Sequence, residues 1–260
     1  MTTDRMHPVD QLFAAMSTVK PYPAGVVPVP ARIPGVAFFP GGAGLWGAKG
    51  GAPLPPMPVG GVMVVGQDFH SETAFTASLA QGTEVPDTPR DSYKIPPTWI
   101  GLRRLFKEAG IPLERCFFTN AFMGLRTGTG TTGRFPGSRD EGFVDRCQRF
   151  LHRQIDAQRP SVIVTLGLWV PRFIARLSPQ LASWQAVASV KQLDAAGPVV
   201  HEVGFGNGAL PPCTVVALTH PSLRDSNVRR RRYGGLEGHA AELRMLEEAM
   251  RTAGSDRPLV

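Results

Sequence analysis

Cysteine is scarce: Cys116, Cys147 and Cys213 are the three in 260 residues, and no two have the C-x-x-C spacing. That argues against a disulfide framework and a cysteine-only metal site, and predicts a reducing compartment. No stretch approaches the ~20 apolar residues that a membrane-spanning helix needs. The N-terminus lacks the basic-then-apolar pattern of a signal peptide, so a cytoplasmic protein without a membrane partner is expected. Acidic residues are outnumbered, 21 against 28 lysines and arginines, giving a net charge of +7. A polyanion such as nucleic acid is therefore a natural partner. The glycines around Lys49–Gly51 lack the G-x-x-x-x-G-K-[ST] spacing of a phosphate loop, and no G-x-S-x-G elbow follows any strand. No internal repeat is present.

Apolar residues make up 42% of the chain, enough for a substantial core. Val9 to Val19 predicts a short helix with Leu12, Phe13 and Met16 on one face. From Pro21 to Pro58 proline and glycine are too dense for a regular helix or a central strand. The Val, Phe and Trp residues there are too apolar for a free linker. Residues 1–60 are therefore expected to be an extended arm packed on a domain spanning 61–253.

Beyond the arm, short apolar runs alternate with helical patterns. Val62–Val65, Cys116–Thr119, Val162–Leu166 and Thr214–Leu218 read as buried strands. Thr98–Ala109, a segment opening on the Ser138-Arg139-Asp140-Glu141 capping box, Trp169–Leu177 and Leu236–Met250 read as helices. In the last of these Leu243, Leu246 and Met250 are expected to face inward. The alternation predicts an α/β fold: three layers, αβα, around a central, mostly parallel four-stranded sheet.

Ligands of open α/β sheets bind beyond the carboxyl ends of the strands. The first predicted strand runs into Gly66-Gln67-Asp68-Phe69-His70, the second into Asn120-Ala121-Phe122, the third into Gly167 and the fourth into His220-Pro221-Ser222. One rim thus receives a carboxylate, an amide and an imidazole. Asp68 can orient water or stabilise a positive charge. Asn120 can read the edge of a base. His220 can donate to an oxygen that becomes negative. Taken alone, each also has an ordinary structural role, as turn, loop or strand-end residue. The basic run Arg229 to Arg232, with Arg224, can neutralise phosphates or form a solvated loop.

In order and strand-end context, Gly66-Gln67-Asp68, Thr119-Asn120-Ala121, Val162–Gly167 and His220-Pro221-Ser222 resemble the motifs of the uracil-DNA glycosylase superfamily. There the first motif often reads Gly-Gln-Asp-Pro-Tyr-His and the last begins His-Pro-Ser. The resemblance covers roughly Val62 to Met250 and implies a monofunctional DNA glycosylase acting on a flipped pyrimidine. It assigns water positioning and sugar-cation stabilisation to Asp68, and hydrogen bonding to the departing base to His220. Base contacts fall to Gln67, Phe69, His70 and Asn120. DNA contacts fall to Ser222, Leu223, Arg224, Arg229, Arg230, Arg231 and Arg232, with Leu223 or Arg224 filling the vacated stack. It implies no metal, no organic cofactor and no lysine nucleophile. The iron–sulfur branch needs four cysteines, one more than this chain has. DNA is the expected partner of a monomer.

Phe69-His70 stands where that family has Pro-Tyr. The tyrosine is understood to crowd C5 of the base, so an imidazole there implies a pocket open to a C5-substituted or hypermodified pyrimidine, in repair or in defence against foreign DNA. Ordinary uracil repair and a catalytically inactive DNA-binding protein on the same fold are the alternatives. Phe69 and Phe75 are the candidates for the aromatic that stacks on the base.

Overall fold

The computed structural model describes residues 6–33, 36–48, 52–80, 97–206 and 210–255. In chain order the helices are α1 (Pro8–Ala15), α2 (Glu72–Ala80), α3 (Pro97–Glu108), α4 (Glu141–Gln158), α5 (Trp169–Ile174), α6 (Val190–Ala195), α7 (Arg224–Asn227) and α8 (Gly238–Ser255). The strands are β1 (Val26–Val27), β2 (Val62–Gly66), β3 (Cys116–Asn120), β4 (Leu125–Arg126), β5 (Val162–Leu166), β6 (Val199–Val203), β7 (Cys213–Leu218), β8 (Arg232–Tyr233) and β9 (Leu236–Glu237). The central sheet has the order β3-β2-β5-β7-β6.

The four expected strands, β2, β3, β5 and β7, pair in parallel. Successive side chains point to opposite faces, so each face needs its own cover. On one face Met63, Val65, Phe117, Ile163, Val215 and Ala217 pack with Phe143, Cys147, Phe150 and Leu151 of α4 and with α5. On the other, Val64, Phe118, Val164, Val216 and Leu218 meet Leu102, Leu105 and Phe106 of α3 and Ala241, Met245, Leu246 and Ala249 of α8. Each fully buried Val, Leu or Phe contributes about 1.5–3 kcal/mol relative to exposure. This two-sided burial is why the strands read as continuous apolar runs.

Among the described residues the sheet has five strands where four were expected. The fifth, β6, lies antiparallel at the edge beside β7 and is only partly buried. Its His201-Glu202 interrupts the apolar pattern, and the register slips between Val200 and Val203. Helix α4 is capped by Asp140, whose carboxylate accepts the Phe143 N–H at 2.7 Å, rather than by Ser138. Ser138 belongs to the preceding 3-10 turn, and Asp140 has the extended backbone that an N-cap requires. Helix α8 starts two residues later than expected because Leu236–Glu237 pairs with Arg232–Tyr233. Leu246 is buried as expected, whereas Leu243 and Met250 are half-buried and Glu242 lies inside.

Along the outer edge of β3 lies the N-terminal segment. The Phe39 N–H donates to the Phe118 carbonyl and the Phe118 N–H to the Gly44 carbonyl, both at 2.9 Å. These bonds cover an otherwise open sheet edge. Gly44 permits the approach, since a β-carbon there would overlap the Phe117 ring. Val9, Leu12, Val19, Val26, Phe39, Leu45 and Met57 join the same apolar cluster as the sheet. The apolar content of this segment is thus spent on packing.

Candidate active site

Strands β2 and β3 stay in register to their last residues, Gly66 opposite Asn120. The Ala121 N–H then donates to the Gly66 carbonyl at 2.8 Å. The Asn120 side chain, 4% exposed, lies across Gly66 so closely that a β-carbon at Gly66 would overlap its Oδ1. Glycine at the strand end thus makes the room in which the amide sits.

Past Gly66 the chain turns through Asp68. The His70 N–H donates to Asp68 Oδ1 at 2.9 Å, and His70 takes a positive φ of 70°. The other partner of the carboxylate is Arg126 on β4: Nη2 lies 2.7 Å from Oδ2 and Nε 3.5 Å from Oδ1. Both side chains are buried, at 6% and 8% exposure. Arg126 is itself clamped, donating to the carbonyls of Thr132, Gly133 and Arg134 at 3.1, 2.9 and 3.1 Å. Gln67 Nε2 donates to the same Gly133 carbonyl at 3.1 Å. A carboxylate offers about four lone-pair directions. Three donors reach Asp68, leaving acceptor capacity for a water. Arg126 was missed in the sequence because its partner lies 58 positions away.

His220 opens a 3-10 turn, Pro221–Leu223. Its Nδ1 accepts the Ser222 N–H at 3.3 Å and contacts Ser222 Oγ at 2.7 Å. A backbone N–H can only donate, so Nδ1 is unprotonated and the proton of the neutral ring sits on Nε2. Burial pushes the His220 pKa below its ordinary 6.5, the charge of His70 pushes it further, and Asp68 opposes both. The fold therefore favours the neutral imidazole, a donor through Nε2. The stability that preference contributes is present above the unfolded value of about 6.5 and is lost as pH falls through the lowered folded value. In His70→Gln the repulsion is gone, and an NMR titration of the His220 ring is expected to give a higher pKa than in the parent. An unchanged titration would contradict the assigned cause.

These groups line one cavity of about 1050 Å³, together with Phe38, Phe75, Trp99, Trp169 and Lys191. Roughly 300–1,000 Å³ holds a drug-sized ligand, so the space exceeds what one flat ring occupies. Phe69 also borders it, although its ring is 5% exposed and packs with Val29, Leu125 and Phe75. Phe38, which was not singled out from the sequence, lines the cavity beside the Gly66 strand end. Its Cε1 stands 3.5 Å from the β-carbon position at Gly66, and its ring leans on Trp99 and Phe118, each with centroids 5.5 Å away.

The basic run divides in two. Arg229 and Arg230 are exposed, and Arg230 borders the cavity. Arg224 and Arg231, expected at phosphate, are 8% and 0% exposed and turn inward, although Arg231 also borders the cavity. Arg224 pairs with Glu242. Arg231 pairs with Asp194 at 3.1 Å and lies 3.7 Å from Glu242, burial pushing its pKa down to about 10. Arg232 is exposed but bound to Glu237 at 2.9 Å. Ser222 is exposed, whereas the Leu223 side chain lies outside the described residues.

The model of the uracil DNA glycosylase superfamily matches residues 100–234, half of the chain. The protein belongs to that superfamily, and membership points to a DNA glycosylase-type function on DNA. The match includes Asn120 and His220; Asp68, Phe38 and Glu242 lie outside it. No curated protein matches the chain. Among the described residues no helix is long and apolar enough to cross a membrane.

Proposed function

We propose that the protein is a monofunctional DNA glycosylase that hydrolyses the N-glycosidic bond of a flipped pyrimidine, either uracil or a base substituted at C5. The observation that carries this reading is the lining of a single cavity by Asp68, Asn120 and His220 at the carboxyl ends of parallel strands. A protein that only gripped DNA needs none of the three.

In this reading Asn120 bonds the edge of the base. The bond from C1′ to the base nitrogen breaks with both electrons leaving on the base, and His220 Nε2–H donates to the oxygen that gains charge. Asp68 steadies the sugar cation and holds the water whose oxygen bonds C1′. That water's proton passes to solvent through the carboxylate, the pyrimidine anion takes up a proton from solvent, and a free base and an abasic site remain. Phosphate contact falls to Arg229 and Arg230, with Lys191 and Ser222 at the same rim. His70 in place of a tyrosine, beside a cavity larger than one base, favours a C5-substituted pyrimidine, including a hypermodified base of foreign DNA.

Phe38 is the face against which the base stacks. Phe38→Leu keeps apolar bulk and removes the π surface. Stacking on an aromatic is worth about 1–3 kcal/mol per base. A loss of roughly five- to a hundredfold in affinity for base-bearing DNA is expected, measured against an oligonucleotide with an abasic analogue at the same position. Equal losses on both oligonucleotides would remove Phe38 from this role. The reading as a whole is tested on single-site oligonucleotides carrying uracil, thymine or C5-substituted cytosines, followed by alkaline cleavage. Cleavage at a modified pyrimidine supports it, and an intact panel overturns it.

A further inference from the structure

Behind the rim, one carboxylate gathers three groups from the segment that follows β7. Glu242 of α8 is 0% exposed. Its Oε1 accepts the Thr219 N–H at 2.6 Å, its Oε2 takes Arg224 Nη1, and Arg231 Nε stands 3.7 Å from Oε1. Thr219 is the residue directly before His220. Arg224 and Arg231 both belong to the segment that the sequence suggested would grip DNA. Arg224 is tied further to His239 Nδ1 at 2.8 Å, and His239 Nε2 to Glu108 at the end of α3. Arg231 is held from its other side by Asp194 and by the Ala217 carbonyl at 2.7 Å.

A buried carboxylate with a buried cation on either side is a rigid fixture. Removing one member leaves an uncompensated charge with no water to take it up. The strand end it holds is also pinned from the neighbouring strand, where the Gly167 N–H donates to the Leu218 carbonyl at 2.8 Å. Backbone on both sides of the Leu218–Thr219 peptide is thus fixed before His220 begins, and the imidazole has little freedom left.

We infer that Glu242 is a positioning residue: through the Thr219 N–H and Arg224 it sets the His220 ring and the turn after it as one unit. The chemical part of this inference rests on the glycosylase reading, whereas the geometric part does not. Two consequences follow. The arginines that look most like phosphate ligands serve the active histidine instead. A residue of the C-terminal helix, outside the segment matched to the family, governs the chemistry at the rim.

The test uses the full chain with ¹⁵N-labelled histidine. In the parent, His220 is expected to give the signals of one neutral tautomer with Nδ1 accepting. In Glu242→Gln those signals should shift and broaden between tautomers, and base release at saturating DNA should slow at least tenfold in protein that remains folded by circular dichroism. If Glu242→Gln does not fold, Arg224→Met with Glu242→Met removes both charges together and should fold and show the same two changes. A folded variant with the parental His220 signals and the parental rate overturns the inference. Should the parent release no base, the glycosylase reading fails, and the His220 signals alone decide the role of Glu242.

Discussion

Asp68→Asn is expected to slow base release by about a hundred- to ten-thousandfold, the span by which a positioned acid or base accelerates proton transfer. DNA binding should be nearly unchanged. The amide keeps the shape of the carboxylate and still accepts the His70 N–H, so the turn after β2 survives. What disappears is the negative charge beside the sugar and the acceptor that orients the water. The substitution also sets an amide N–H₂ or a neutral oxygen against Arg126, whose pair with Asp68 is buried. Breaking a buried pair costs about 3–5 kcal/mol. Three backbone carbonyls still hold the guanidinium, which makes that figure an upper bound. Single-turnover assays paired with thermal melts separate the two effects. A folded variant with the parental rate would remove Asp68 from the chemistry.

Gly66→Ala should do nearly as much harm with one methyl group. In a strand interior alanine is ordinarily no worse than glycine, because it restricts the unfolded chain. Here the added carbon overlaps Asn120 Oδ1 and comes within 3.5 Å of Phe38. The strand has little room to yield, being paired with β3 through Gly66 itself and with β5 up to Val65. Asn120 must therefore swing away from the base. A misplacement of about 1 Å in a positioned group costs on the order of a hundredfold in rate, and that loss is expected with little change in melting temperature. A melting temperature lowered by many degrees with normal base selectivity would show that the sheet gave way instead of Asn120.

The sheet was legible where burial on both sides made a strand wholly apolar, as in Val62–Val65 and Val162–Leu166. It was not legible at β6, where one partly exposed edge mixes His201 and Glu202 with valines. The strand ends could be read because the parallel order that brings them to one rim follows from the alternation of strands and helices. The burial of two members of the arginine run was not legible either. Arg224 and Arg231 differ from Arg229 and Arg230 in their partners, Glu242 and Asp194, not in sequence context. Those partners meet them only once α8 and α6 are packed. Arg126 and Phe38 escaped notice for the same reason. Each takes its meaning from a residue on another element, Asp68 in one case and the Gly66–Asn120 pair in the other.

The central claim is that this cavity releases an intact pyrimidine from DNA by hydrolysis. The most direct measurement is mass spectrometry of small molecules freed from several genomic DNAs, uracil-containing and C5-modified, by the parent and by Asp68→Asn. The account predicts a free pyrimidine base from at least one DNA, in amounts equal to the abasic sites formed, and almost none with the variant. Release of a nucleotide or nucleoside, or equal release by parent and variant, would contradict it.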